Sequence, residues 1–269
     1  MKPSPSAMWE SFWKSTRDPE EVYSNDGRLL RCLLELVDPR DLSVLEVGAG
    51  TGRDSVGLAG LGALVFQLDY SMQALGLARE VATRAGARVR LLAGDALALP
   101  FRDGSFDVVL HQGLLEHFRT PEAGRLLAEN VRVLKPGGLL LVDVPQRYHP
   151  YTILKHVLIA FHAWFAGWER EFSVRELERD LRDAGVVPVR AYGVWMVPSL
   201  PYRVLREGLK KLGLRLPLYP PRVPVIGEVR RRIREALLRR RAALHTCFSI
   251  GVIARKPERW EPRLPLGRG

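Results

Sequence analysis

Short apolar runs alternate with longer stretches of helical period along the first half of the chain. VLEV (44–47), ALVFQLD (63–69), RVRLLAG (88–94), FDVVLH (106–111) and LLLVDV (139–144) read as strands buried on both faces of a parallel sheet. Between them lie helical patterns. SMQALGLAREVATRAG opens on Ser71 as an N-cap and closes on Gly86 as a C-terminal stop. TPEAGRLLAENVRVL opens on Thr120 and Pro121 as cap and first-turn residue, puts Leu126, Leu127, Val131 and Leu134 on one face, and is stopped by LKPGG. After Val144 the pattern changes. An aromatic-rich segment leads into FSVRELERDLRDAG, a helix with Ser173 and Glu176 spaced as a capping box. VVPVRAYGVW and HTCFSIGVIARK read as two late strands. Strand–helix alternation with short connections predicts a doubly wound α/β sheet.

The turn after the first strand reads GAGTG, with Gly48, Gly50 and Gly52 at alternate positions. Glycine weakens strands and helices alike, so three of them imply a tight turn or a close approach of backbone to a ligand. A dinucleotide fingerprint needs glycine at 53, where Arg53 stands, and Glu46 just before the loop repels a pyrophosphate. A carboxylate there suits a cationic ligand. Asp69 ends the second strand and is placed to accept both hydroxyls of a ribose. Asp95, after the third, is placed to accept an exocyclic adenine amine, and His111, Gln112 and Gly113 end the fourth. The row of strand ends implies a nucleoside with a positive amino-acid tail.

Composition narrows the setting. Apolar residues make up 46% of the 269, enough for a core of one domain of this size. Cys32 and Cys247 form no disulfide framework, and MKPSPSAMWESFWKS holds no apolar run of signal-peptide length, so a reducing cytoplasm is expected. Asparagine and glutamine are scarce while arginine and proline are plentiful, which fits a thermophile or a GC-rich genome. The net charge of +11 is concentrated: Ser199–Ala243 holds thirteen basic and three acidic residues, 13 − 3 = +10.

VLEVGAGTGRDS, LDYS, GDALALPFRDGSFDVVLHQGLLEHF and LKPGGLLLVDVP, taken in order, resemble the motifs of class I S-adenosylmethionine-dependent methyltransferases. The resemblance is detailed over 40–145 and holds in outline over 170–195 and 246–256. It implies a Rossmann-like seven-stranded sheet with the last strand antiparallel and helices on both faces. It implies S-adenosyl-L-methionine as cofactor, with Glu46, Gly48 and Gly50 at the methionine end and Asp69 on the ribose. Asp95 and Ala96 stand at the adenine, and His111 to Gly113 close over the cofactor. Ala49, Gly52, Tyr70 and Gly94 belong to the same set. One domain is expected: an N-terminal helical cap (1–40), a cofactor core (41–145), an aromatic lid (146–172), the rest of the core (173–196 and 245–256) and a basic insertion (197–244).

No fixed catalytic set is required, because a sulfonium is already a good leaving group and positioning supplies most of the rate. Where the nucleophile must lose a proton, HQGLLEHF offers His117, His111 and Glu116, with Tyr148 and His149 as second choice. No metal is expected. YTILKHVLIAFHAWFAGW is too short and polar to span a membrane and reads as a lid over an apolar pocket. WESFWKSTRDPEEVYS offers aromatic residues to cover the cofactor. GEVRRRIREALLRRRAAL reads as a helix with three open roles: a solvated face, a contact to an anionic membrane, or a contact to RNA phosphates. The expected activity is methyl transfer to a small apolar or aromatic acceptor at oxygen, nitrogen or carbon. An RNA methyltransferase and a non-enzymatic cofactor-binding regulator are the alternatives. Strand four ends in LHQGLL rather than the N/D-P-P-Y/F of amino-group nucleic-acid methyltransferases.

Overall fold

The computed structural model describes residues 6–15, 27–161, 168–196, 198–214, 216–217, 233, 236–238 and 240–259. Seven strands form one sheet: β1 (Ser43–Val47), β2 (Leu64–Asp69), β3 (Val89–Ala93), β4 (Phe106–Gln112), β5 (Leu134–Pro145), β6 (Val187–Val194) and β7 (Ser249–Arg255), in the order β3-β2-β1-β4-β5-β7-β6. The first five pair in parallel, and β7 runs antiparallel between β5 and β6. Strand order reverses between β1 and β4, so their carboxyl ends diverge there into a crevice.

Both faces of the sheet are covered, which is why its strands read as continuous apolar runs. Leu45, Val47, Val109, Leu140 and Val142 face α5 (Glu122–Val133) and α7 (Val174–Asp183). Val44, Val108, Leu110, Leu139 and Leu141 face α2 (Arg28–Leu34) and α3 (Arg53–Gly60). Next to α3, α4 (Met72–Arg84) lies along β2 and β3. The caps behave as their chemistry requires. Ser71 accepts from the amide of Ala74 at 3.1 Å, and Ser173 with Glu176 closes a capping box. Gly86 takes φ +63° just beyond α4.

Two sequence expectations shift. Pro121 is the N-cap of α5, not its first-turn residue, and the helix starts at Glu122. LKPGG opens β5 rather than merely ending α5, because Leu134 pairs with Phe106 and the strand continues after an irregularity. Beyond β5, α6 (Pro150–Ala160) forms the first part of the expected lid, and 162–167 lie outside the described residues. The proline-rich stretch after β6 contains a further helix, α8 (Leu200–Lys211). Most of the expected basic helix at 227–244 lies outside the described residues, as does 16–26 of the N-terminal segment.

Candidate functional site

The glycine loop between β1 and α3 needs its glycines twice over. Gly48, Gly50 and Gly52 have φ of +62°, +53° and +63°, a region that side-chain-bearing residues rarely enter. A Cβ would also meet Leu114 at 2.8 Å from Gly48, Trp13 at 2.9 Å from Gly50 and the Gln67 amide at 2.2 Å from Gly52. Fully buried Gln67 donates to the Gly52 carbonyl at 2.9 Å and to Ser55 Oγ at 2.8 Å, and Ser55 in turn donates to Glu46. Glu46 thus lies beneath the loop it was expected to serve. Burial, with Asp54 nearby, pushes its carboxyl up to about 8. The Asp54 carboxyl is itself pushed up to about 6 by burial and by Asp143.

Asp69 binds the loop from the neighbouring strand. One oxygen accepts from the Gly50 amide and the other from the Ser71 amide, each at 2.9 Å. Burial raises its pKa, and those two amides oppose the rise. The Gly94 amide donates to the Asp69 carbonyl at 3.1 Å, so the ends of β2 and β3 meet. Asp95 is exposed and accepts from the Leu97 amide at 2.8 Å, with Ala96 half-buried beside it. Tyr70 is partly exposed at the same edge, and the Ala49 amide donates to the Leu68 carbonyl at 3.1 Å. The expected cofactor positions from Glu46 to Ala96 therefore line one continuous sheet edge.

At the end of β4 the Gly113 amide donates to the Asp143 carbonyl at 3.0 Å, and Gln112 pairs with Asp143. His111 is enclosed, with neither ring nitrogen partnered among the described residues, and burial drives its pKa down to about 3. Glu116 and His117 occupy the short 3-10 turn Leu115–His117. One Glu116 oxygen is buried without a partner, and burial with Glu169 nearby raises its carboxyl well above the usual range. His117 stacks edge-on against Trp9 at 4.8 Å, and burial lowers its pKa. Burial thus disfavours its charged form. His149 instead caps α6, accepting from the Tyr151 amide at 3.1 Å, and Tyr148 is exposed.

The N-terminal helix α1 (Ser6–Ser15) lies over this edge: Trp13 sits on Gly50, Trp9 on His117, and Glu10 accepts from the Met72 amide at 3.0 Å. Sequence reading offered these aromatics as a cover for the cofactor and gave none of these contacts. It also missed two buried ionic clusters. Arg28 of α2 pairs with Asp143 of β5, which also accepts from Ser249 of β7. Lys155 of α6 reaches Glu169 at 2.7 Å and Glu171 at 2.6 Å. The available signal was an acid inside the apolar run LLLVDV and a lysine inside an apolar helix, since neither charge is buried alone.

Residues 45–142 match a family model described as a methyltransferase domain. A demethylmenaquinone methyltransferase of Renibacterium salmoninarum is 43% identical over 99 residues, 37% of this chain and 39% of that protein. A ubiquinone biosynthesis O-methyltransferase of Parvibaculum lavamentivorans is 30% identical over 151 residues, 54% of this chain and 59% of that protein. The chain thus spans less than two thirds of these relatives. The crystal structure of the Burkholderia thailandensis 1,6-didemethyltoxoflavin-N1-methyltransferase, with 1,6-didemethyltoxoflavin and S-adenosylhomocysteine bound, superposes with a TM-score of 0.58 at 22% identity. That alignment covers 94% of this chain and 88% of the other, and it shows a shared fold. Residues 45–142 are thus similar to methyltransferase domains, and they lie in a seven-stranded sheet with antiparallel β7.

Proposed function

We propose that this protein transfers the methyl group of S-adenosyl-L-methionine to a small apolar, aromatic acceptor. The observation that carries the reading is the left-handed glycine loop Gly48–Gly52 tied through its Gly50 amide to Asp69. This backbone is shaped for close approach and flanked by carboxylates suited to a cationic nucleoside. The residues fit the cofactor: Asp69 and Asp95 offer acceptors to ribose and adenine, and the Gly48–Gly52 backbone, against which Leu114 and Trp13 lie, offers its methionine end a surface on which the three glycines carry no side chains. Held there, S-adenosyl-L-methionine would supply an electrophilic methyl whose carbon–sulfur electron pair would remain on sulfur. His117 would hold the proton released from the acceptor's hydroxyl or ring carbon. Glu116, whose carboxyl burial pushes well above the usual range, stands beside it in the same 3-10 turn. Trp9 and α1 keep water away from that side. The quinone-pathway names of the two relatives support an aromatic acceptor.

The test has two readouts. Calorimetry is expected to show binding of S-adenosylmethionine and S-adenosylhomocysteine, and Asp69→Ala is expected to weaken it by about 2–3 kcal/mol, the scale for hydrogen bonds to a charged group. Transfer of labelled methyl to 1,4-naphthoquinol is expected with the wild-type chain. Absence of cofactor binding refutes the reading. Binding without transfer to any aromatic acceptor favours the regulator alternative instead.

A further inference from the structure

We infer that α6 and α8 form a docking face for an anionic lipid surface, set at the same end of the sheet as the proposed active site. The placement follows from topology. Both β5 and β6 run antiparallel to β7, so they are parallel to each other, and the helices that follow them leave from the same carboxyl edge. Phe248 joins their first turns: its ring lies 5.4 Å from that of Tyr151 in α6 and 5.8 Å from the guanidinium of Arg203 in α8.

The two helices turn apolar side chains outward. In α6, Lys155 is the buried residue, held by Glu169 and Glu171, which fixes the rotation of the helix. Ile153, Val157 and Phe161 recur at i, i+4 and i+8 on the other side, and Ile153 and Phe161 are 71% and 78% exposed. In α8 and just after it, Val204, Leu205 and Leu212 share one exposed side, Leu212 at 76%. Exposed aliphatic rows of this kind mark an interaction surface. The adjoining sequence favours an anionic partner: Ser199–Ala243 carries thirteen basic and three acidic residues, and among those described Lys210 and Arg240 are exposed. An apolar stripe with basic flanks suits a helix lying in an anionic interface. Among the described residues no helix is long and apolar enough to cross a membrane, so the contact is a resting one. Nucleic acid is disfavoured because single-strand binding uses aromatic stacking platforms, and these rows are mainly aliphatic. A second copy is disfavoured because it brings two strongly positive segments together. The delivery of an apolar acceptor from lipid rests on the methyl-transfer reading; the docking itself does not.

The test is co-sedimentation with vesicles of phosphatidylglycerol and phosphatidylcholine, and with phosphatidylcholine alone, at rising salt. Wild-type protein is expected to bind the anionic vesicles and to bind the zwitterionic ones far less. The double variant Ile153→Glu, Phe161→Glu is expected to bind about 100-fold more weakly, from the loss of two inserted apolar side chains and the added negative charge. Its thermal shift with S-adenosylhomocysteine should match the wild type, showing that fold and cofactor site persist. The inference is overturned if the wild type ignores anionic vesicles, or if the double variant binds them equally well. It is also overturned if the wild type instead binds tRNA with a steep salt dependence, or forms a dimer that the variant dissolves. A wild-type chain that binds vesicles but gives no shift with S-adenosylhomocysteine removes the methyl-transfer reading and leaves the docking intact.

Discussion

Gly52→Ala isolates the contribution of the glycine loop. Two terms act at this position. The left-handed backbone at φ +63° costs a residue with a Cβ about 1–2 kcal/mol. The new methyl group also falls 2.2 Å from Gln67 Nε2, 2.5 Å from its Cδ and 2.7 Å from its Oε1. Gln67 is fully buried, so it has no free space to retreat into. Moving it breaks its bonds to the Gly52 carbonyl and to Ser55 Oγ, each worth about 1 kcal/mol, and strands buried polar groups at further cost. The expected loss is about 3–5 kcal/mol. Gly86→Ala is the control: φ is the same +63°, and nothing lies within 4 Å of the added Cβ. It should cost only the backbone term, about 1–2 kcal/mol. Urea unfolding of the two variants beside the wild type reads the difference directly. Equal losses in the two variants would show that the Gln67 contact does not constrain the loop, and the reasoning would fail.

Three further outcomes are expected. Arg28→Met leaves Asp143 buried without its cation and should cost about 3–5 kcal/mol in urea unfolding, with part recovered when Asp143→Asn is added; no recovery would show that the pair acts independently. Burial raises the Glu46 carboxyl from 4.5 to about 8, so across that interval the folded chain holds a proton that the unfolded chain has lost. Stability should therefore fall as pH rises from 4.5 to about 8. Glu46→Gln should flatten that slope by at most about 1.4 kcal/mol per pH unit, and an unchanged profile refutes the assignment. His117→Ala should lower methyl transfer by about 100-fold while the calorimetric affinity for S-adenosylhomocysteine stays near wild type; full-speed turnover removes His117 as the base.

The sequence by itself determined those features whose causes are local. The apolar runs of β1 to β5 were legible because a strand buried on both faces leaves an uninterrupted apolar signature. The caps Ser71 and Ser173 were legible because a side-chain oxygen satisfies an amide three residues away. The glycine loop and the carboxylates at positions 46, 69 and 95 were legible from spacing, and ordered resemblance attached a cofactor to them. The antiparallel last strand came from that resemblance and not from periodicity, while its place between β5 and β6 came only from the structure, because no local pattern records which edge a strand joins.

Only the tertiary structure decided the rest, and in each case the deciding contact is distant along the chain. Asp143 was visible as an acid in an apolar strand, but Arg28 lies 115 residues away. LKPGG looked like a plain helix stop because nothing nearby reveals that Leu134 pairs with Phe106 across β4. Asp69, legible as a hydroxyl acceptor, proved also to be the anchor of the loop through the Gly50 amide. Lys155 looked like one polar residue in an apolar helix; Glu169 and Glu171 turn it inward and so turn Ile153, Val157 and Phe161 outward. Hydrogen bonds and turns within a few residues are written in local chemistry. Burial of a charge and the choice of which helix face meets solvent depend on partners that only folding brings together.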